Sequence, residues 1–196
     1  MTKPSFFLRP ELLPVIEATP EQTTWDLPAM RARGDALLEN PHEAVNRLEV
    51  TSHGRSFIPA NLQDNAPILV SIHGGGYVAG RAAFDDAKND ELATRFGAIV
   101  LSPEYRLAPE FPFPIPVDDC ISALAEALER FGYERPIFVL GDSAGAGLAY
   151  SMVSRLYGLV SPVLQDEETM ARYERISSMI RGLVLLEPCI DPSLST

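Results

Sequence analysis

The chain has 196 residues, of which 46% are hydrophobic and 22% are charged, a composition typical of one globular domain with a single buried core. Its formal net charge of −11 would repel a phosphate backbone, which argues against nucleic acid as a partner. No segment approaches the ~18 apolar residues of a membrane span, and the apolar run at residues 6–8 is too short for a signal sequence. We therefore expect a cytoplasmic protein without a membrane span.

Two cysteines, Cys120 and Cys189, occur in the chain. Their positions do not form the paired spacing of a disulfide framework or of a zinc site. Because both stand among apolar residues, we predict that they are small hydrophobic residues of the core. The sequence therefore predicts no metal site.

The N-terminal part of the chain differs in composition from the rest. Residues 1–43 are rich in proline and contain a helical pattern over 29–39, so we interpret them as an N-terminal arm. The remaining residues, 44–196, are predicted to form the core domain.

Strand and helix patterns alternate through the core domain. A hairpin predicted over 44–60, with strands at 44–51 and 55–58, is followed by four short apolar runs, each expected to be a strand buried on both faces. These strands are predicted at 67–72, 98–102, 136–140 and 183–186. Helices are predicted at 84–96, 117–131, 144–159 and 166–179. This alternation predicts an α/β domain with a mostly parallel sheet and helices on both faces.

The third apolar run continues directly into Gly141-Asp142-Ser143-Ala144-Gly145, and an apolar helix follows. A sharp strand-to-helix turn would raise the Ser143 hydroxyl above the sheet and leave no room for side chains at Gly141 and Gly145. Ser143 is thus a candidate nucleophile. The Ala144 amide lies at the positive end of the helix dipole, where an oxyanion would be stabilised. An ordinary tight turn has the same pattern, so this motif alone does not decide the function.

Three consecutive glycines follow the first apolar run, in His73-Gly74-Gly75-Gly76. Backbone amides of Gly74 and Gly75 are candidates to complete an oxyanion hole with the Ala144 amide. A phosphate-binding loop would need Gly-Lys-Ser/Thr or a G-x-G-x-x-G that ends at a helix, and neither occurs. We expect His73 to be structural because it stands on the oxyanion side of the site. Two motifs in this order, each after a buried strand, indicate a serine hydrolase.

Four segments together carry a family resemblance: HGGGYVAG at 73–80, YRLAPE at 105–110, Asp118-Asp119, and GDSAG at 141–145. With them the sequence resembles the hormone-sensitive-lipase-like family of α/β-hydrolases, which contains carboxylesterases and lipases. The resemblance implies the α/β-hydrolase fold and a serine carboxylesterase that forms an acyl-enzyme on Ser143 without a metal or organic cofactor. It also implies a small-molecule ester as substrate and a cap role for the arm. For Tyr77, a pocket-lining role and a core role remain as alternatives.

The family's triad acid and histidine follow the strand that corresponds to 183–186, so the resemblance implies that the C-terminal strands carrying them are absent from this chain. Its only histidines are His42, His53 and His73, and none stands at the position of the family's base. Three hypotheses remain: a piece of a longer esterase, a crippled hydrolase that needs a homo-oligomer or a complementing chain, and a small-molecule-binding protein on the same scaffold. If the family's strand order holds, strand 183–186 would be an open apolar edge in this chain, where two more strands belong.

Two acidic side chains near these motifs have predicted structural roles. Asp142 stands beside the candidate nucleophile, where tuning the nucleophile is one alternative; we expect it instead to brace the turn through hydrogen bonds or an ion pair, with Arg106 as a candidate partner. Glu110 ends the YRLAPE segment, and we expect it to be structural as well.

Overall fold

The computed structural model describes residues 26–36, 38, 41–159 and 166–188. Only the last part of the predicted arm is therefore described, and there helix α1 spans Leu27–Ala36 instead of the predicted 29–39. Cys189, whose burial was predicted, lies outside the described residues. No helix among the described residues is long and apolar enough to cross a membrane.

A sheet of six strands forms the centre of the domain. The strands are β1 Arg47–Thr51, β2 Gly54–Ile58, β3 Ile68–Ile72, β4 Ile99–Pro103, β5 Ile137–Asp142 and β6 Ile180–Leu186. Their order across the sheet is β1-β2-β4-β3-β5-β6. The β1–β2 and β2–β4 pairs are antiparallel, whereas β4–β3, β3–β5 and β5–β6 are parallel. The predicted mostly parallel sheet is confirmed, and β1 begins three residues later than the predicted hairpin.

All four helices predicted in the core domain are present. They are α2 Asp86–Phe96, preceded by a short 3-10 helix Ala82–Asp85, α3 Ile115–Phe131, α4 Ala144–Leu156 and α5 Glu167–Ser177. Helix α3 begins two residues earlier than predicted, because Pro116 stands in its first turn, where the missing N–H of proline costs nothing. Helix α4 ends three residues earlier than predicted.

The two faces of the sheet are covered to different extents. On one face, α3 packs on β4 and α4 packs on β5, with Leu124, Leu128 and Met152 fully buried in the larger core cluster. On the other face, α2 packs over β2 and β4, and it buries Phe57 and Val100. Cys120 lies in the larger cluster, as predicted, and burial raises the pKa of its thiol.

Strands β5 and β6 are not buried on both faces, and this part of the strand prediction was wrong. Val184 and Leu186 of β6 are 49% and 47% exposed, and Phe138 of β5 is 38% exposed. These side chains share the face on which α2 covers only the β2–β4–β3 side. Among the described residues β6 pairs with β5 alone, so the predicted open apolar edge is present within that part of the chain.

Candidate active site

Residues 141–145, the elbow, form the sharp connection between β5 and α4. Strand β5 ends at Asp142, helix α4 begins at Ala144, and Ser143 between them has φ 52° and ψ −119°. A non-glycine residue at positive φ is strained and persists only where its surroundings enforce it. One such restraint is the Ser143 amide, which donates a hydrogen bond of 2.8 Å to the carbonyl of Leu186 in β6.

The two glycines of the elbow are required by close backbone contacts. A β-carbon on Gly141 would lie 2.6 Å from the Ala146 Cα, and one on Gly145 would lie 2.8 Å from the carbonyl carbon of His73. Backbone atoms cannot move aside as a flexible side chain can, so neither position accepts a larger residue without distortion. The predicted reason for both glycines is confirmed.

The glycine loop, residues 73–80, follows β3 and lies against the elbow. A β-carbon on Gly74 would be 3.4 Å from the Ser143 Cβ and 3.0 Å from the Asp142 carbonyl oxygen. Gly75 and Tyr77 both have positive φ, of 123° and 66°. Because β3 and β5 are neighbouring parallel strands, their carboxyl ends bring the two predicted motifs together at one edge of the sheet.

Two stacked rings brace the glycine loop from inside. The ring of His73 lies 4.2 Å from that of Tyr105, and the Tyr105 hydroxyl donates to the His73 carbonyl at 2.9 Å. Burial lowers the pKa of His73 to about 4, so the ring is neutral at pH 7, and Nδ1 donates to the Gly74 carbonyl at 2.8 Å. Its buried Nε2 makes no hydrogen bond with any of the residues that the structure describes. His73 is therefore structural, as expected, and Tyr105 is a brace that sequence reasoning missed.

The other two histidines are also held by partners other than Ser143. His42 contacts the Asp90 carboxylate at 2.9 Å, and His53 contacts Glu126. His53 stands at the same edge of the sheet as the elbow, but its hairpin is separated from β5 by β4 and β3. Three inter-strand spacings amount to ~14 Å, too far for proton transfer to or from Ser143.

Arg106, the candidate partner for an ion pair with Asp142, pairs with a different carboxylate, so this part of the prediction was wrong. The guanidinium of Arg106 and its backbone amide both bind Asp119 on α3, at 2.8 Å and 2.9 Å. These two contacts fix Arg106 on the α3 side of the loop, away from the exposed Asp142. The preceding Asp118 pairs with Arg155 of α4. The two adjacent carboxylates therefore tie α3 to two different neighbours.

A small cavity of about 170 Å³ opens beside the elbow. Tyr77 from the glycine loop, Phe111 and Phe113, and Gly147 and Ser151 of α4 line it. Gly147 lies one helical turn after Ser143, a distance of ~6 Å along the helix axis. Tyr77 both lines this cavity and packs against the larger core cluster, so its role in contacting substrate stays a prediction. Within the described residues, no cluster of three or more His, Cys, Asp or Glu side chains could hold a metal ion.

A model of the family described as alpha/beta hydrolase fold matches residues 69–196, which include both motifs. The chain belongs to the α/β-hydrolase family. The architecture agrees, because the sheet is mostly parallel and helices pack on both of its faces.

Several relatives similar to this α/β-hydrolase are named as esterases. It is 32% identical over 169 residues to the esterase LipI of Mycobacterium tuberculosis, with 78% of this chain and 53% of LipI covered. It is 31% identical over 192 residues to carboxylesterase 20 of Arabidopsis thaliana, with 89% of this chain and 51% of that protein covered. The α/β-hydrolase chain thus spans about half the length of these relatives.

Solved structures support the same assignment. A hormone-sensitive lipase from a metagenome library superposes on this α/β-hydrolase with a TM-score of 0.69 and 29% identity, over 95% of this chain and 59% of the lipase. The resemblance to the hormone-sensitive-lipase-like family, expected from four sequence segments, is confirmed.

Proposed function

We propose that this α/β-hydrolase chain carries the nucleophile of a serine hydrolase that cleaves small-molecule carboxylic esters, with Ser143 as the acyl acceptor. The observation that carries the proposal is the strained Ser143 at φ 52°, which lies directly against the glycine loop. The two are so close that a β-carbon added to Gly74 would lie 3.4 Å from the Ser143 Cβ. The relatives named esterase and carboxylesterase support ester hydrolysis as the reaction.

In this reaction the Ser143 oxygen attacks the ester carbonyl carbon, and the carbonyl oxygen becomes an oxyanion. The amides of Gly74, Gly75 and Ala144 are the proposed donors to that oxyanion. The Ala144 amide is the first of α4, and the first four amides of a helix have no acceptor within the helix. The Ser143 amide is not a proposed donor, because it is bonded to Leu186.

The tetrahedral intermediate collapses when the bond to the alcohol oxygen breaks, and the alcohol leaves with the proton that Ser143 lost. Water then attacks the acyl-enzyme and releases the carboxylic acid. Both steps need a base, and we propose that it comes from outside the 196 residues of this chain. Two sources remain proposals: further residues of a longer protein, and a second chain, including another copy in a homo-oligomer.

The proposed substrate is small and uncharged where it meets the protein. No charged side chain is among the described residues that line the cavity beside the elbow. Tyr77 is the proposed contact for the substrate. The cytoplasmic location stays a prediction.

A second candidate function is binding of a small molecule without turnover. It is favoured by one observation: each of the three histidine rings is held by a partner other than Ser143. The cavity beside the elbow would then hold a ligand that is released unchanged.

Labelling with a fluorophosphonate tests the esterase proposal, because the Ser143 oxygen must displace fluoride from phosphorus. We expect Ser143 to be labelled, the Ser143→Ala variant to be inert, and the control Ser122→Ala, on the surface of α3, to behave as wild type. Because the base is proposed to come from outside this chain, added imidazole should accelerate labelling of wild type. Absence of labelling with imidazole, together with no hydrolysis of p-nitrophenyl butyrate above the Ser143→Ala background, would contradict the esterase proposal for this chain.

A further inference from the structure

Helix α1 is tied to the domain by one arginine that uses all three of its guanidinium nitrogens. Arg31 Nε donates to the Val78 carbonyl at 2.9 Å, and Nη2 donates to the Ala108 carbonyl at 3.0 Å. The same guanidinium forms a two-pronged pair with the Glu110 carboxylate, at 2.9 Å and 2.8 Å. This explains the structural role expected of Glu110, whose partner the sequence did not reveal.

The carbonyls that Arg31 binds belong to the support of the glycine loop. The amides of Val78 and Ala79 donate to the Gly75 carbonyl at 3.2 Å and 3.0 Å, so Val78 lies in the same turn as the proposed oxyanion donors. The Ala108 amide donates to the Tyr77 carbonyl at 2.9 Å. The Arg31 guanidinium therefore connects α1 both to the turn of the glycine loop at Val78 and to Ala108, which supports that loop.

The glycine loop needs such external support. Tyr77, with φ 66°, is in a conformation that non-glycine residues rarely adopt, and it relaxes unless contacts enforce it. Tyr105 supplies one contact set from the core side. Arg31 supplies the other from the outer side, and unlike Tyr105 it stands on a separate helix.

We propose that Arg31 is a positioning residue, which holds the glycine loop in its reactive shape and so couples the docking of α1 to the reactivity of Ser143. The second half of this statement rests on the proposed esterase function. Arginine is needed because the three nitrogens of its planar guanidinium bind two carbonyls and a carboxylate at once. Lysine offers one nitrogen and cannot span them.

A second link between α1 and the domain provides a matched control. Arg81, directly after the glycine loop, pairs with Asp35 of α1 at 2.8 Å, and these two side chains are 53% and 52% exposed. This ion pair also joins the helix to the same region of the domain. It contacts no carbonyl of the loop among its described hydrogen bonds, so its loss should leave the Arg31 bonds in place and the loop unchanged.

Hydrogen exchange of the whole chain, followed by mass spectrometry, tests the positioning role without requiring activity. We expect the peptide over 73–80 to exchange about tenfold faster in Arg31→Lys and Arg31→Met than in wild type, since charge-assisted bonds to the loop are lost. Arg81→Met should leave that peptide unchanged. Glu110→Gln, which leaves the bonds from Arg31 to the Val78 and Ala108 carbonyls in place, should change it less than Arg31→Lys.

The proposal is overturned if the 73–80 peptide exchanges alike in wild type and both Arg31 variants, or if Arg81→Met accelerates it equally. The coupling to Ser143 has its own readout, the fluorophosphonate labelling rate in the presence of imidazole. Arg31→Met should lower it about tenfold, because misplaced catalytic groups lose rate steeply, and ethylguanidinium should partly restore it. Unlabelled wild-type protein would refute the esterase proposal, while the exchange result would still decide the positioning role.

Discussion

At the scale of single residues, the site depends on side chains that are uncharged where they are buried. His73 is 3% exposed, and its ring lies between Tyr105 and the loop carbonyl that it binds. A charged imidazolium there would lack solvation. The folded pKa of about 4 lies well below the ordinary value of 6.5, so protonation at moderate acidity favours the unfolded chain.

This difference predicts the pH dependence of folding. Between pH 6.5 and about 4 the unfolded chain binds a proton at His73 that the folded chain does not, so stability falls as the pH falls through this window. The full loss is roughly 3 kcal/mol. Urea unfolding at pH 7, 5.5 and 4.5 measures it, with His73→Phe as the variant that should flatten the curve. An equal slope in that variant would assign the loss to other groups.

Asp90 also affects the pH dependence of stability, but at lower pH. Burial raises the pKa of its carboxyl group, and hydrogen bonds from His42, Val45 and Asn46 outweigh burial and lower that pKa to about 2. The stability that Asp90 contributes is therefore lost below the pH window of His73.

At the scale of elements, side chains on the two faces of the sheet differ in how much they contribute to the stability of the fold. Leu124 of α3 is fully buried against the sheet, whereas Phe138 of β5 points to the uncovered face and is 38% exposed. Burial from water, and not the size of the side chain, sets the hydrophobic contribution. The covered face therefore stabilises the domain, and it also carries α4, whose first turn forms the elbow.

Truncating these two side chains should separate the faces. Leu124→Ala removes a buried side chain and leaves a cavity, so we expect the free energy of unfolding to fall by about 2–5 kcal/mol. Phe138→Ala removes a larger side chain that water already reaches, and we expect a loss of about 1 kcal/mol. Chemical denaturation of both variants measures the difference. A loss for Phe138→Ala as large as that for Leu124→Ala would mean that another part of the chain covers this face.

At the scale of the whole molecule, the described sheet ends in two unlike edges. Strand β1 carries the charged Arg47 and Glu49, which discourage pairing with another sheet. Strand β6 presents the half-exposed Val184 and Leu186 instead, and its carbonyl at Leu186 supports the Ser143 amide. Association at this edge would therefore affect the elbow through the hydrogen bond between the Leu186 carbonyl and the Ser143 amide.

We expect copies of the purified chain to associate with one another through the open edge of β6. We expect the mass measured by analytical ultracentrifugation to rise with concentration, and Val184→Lys to suppress that rise because a charge on an edge strand opposes pairing. Val50→Lys, at a 62% exposed position on the opposite edge, is the control that should associate as wild type does. Equal behaviour of the two variants would exclude β6 as the contact.

Local patterns were enough to predict the elements and the two motifs. Apolar runs marked β3 and β4, and glycines at the elbow and in the glycine loop marked backbone positions without space for a side chain. The predictions failed where coverage by other elements decided the outcome. Nothing within 136–140 or 183–186 distinguishes a strand buried on both faces from one that is half exposed, because that depends on which helices lie over it.

The sequence by itself therefore determined the α/β class, the nucleophile candidate Ser143 and the glycine loop, since each depends on contacts within a few residues or on backbone sterics. Only the tertiary structure decided the strand order and the pairing of Arg106 with Asp119 instead of Asp142. It also decided that all three histidine rings bind partners other than Ser143. It alone joined Arg31 to Ala108 and Glu110, which are 77 and 79 positions away. Such partners are chosen by how elements pack, and no local pattern encodes that choice.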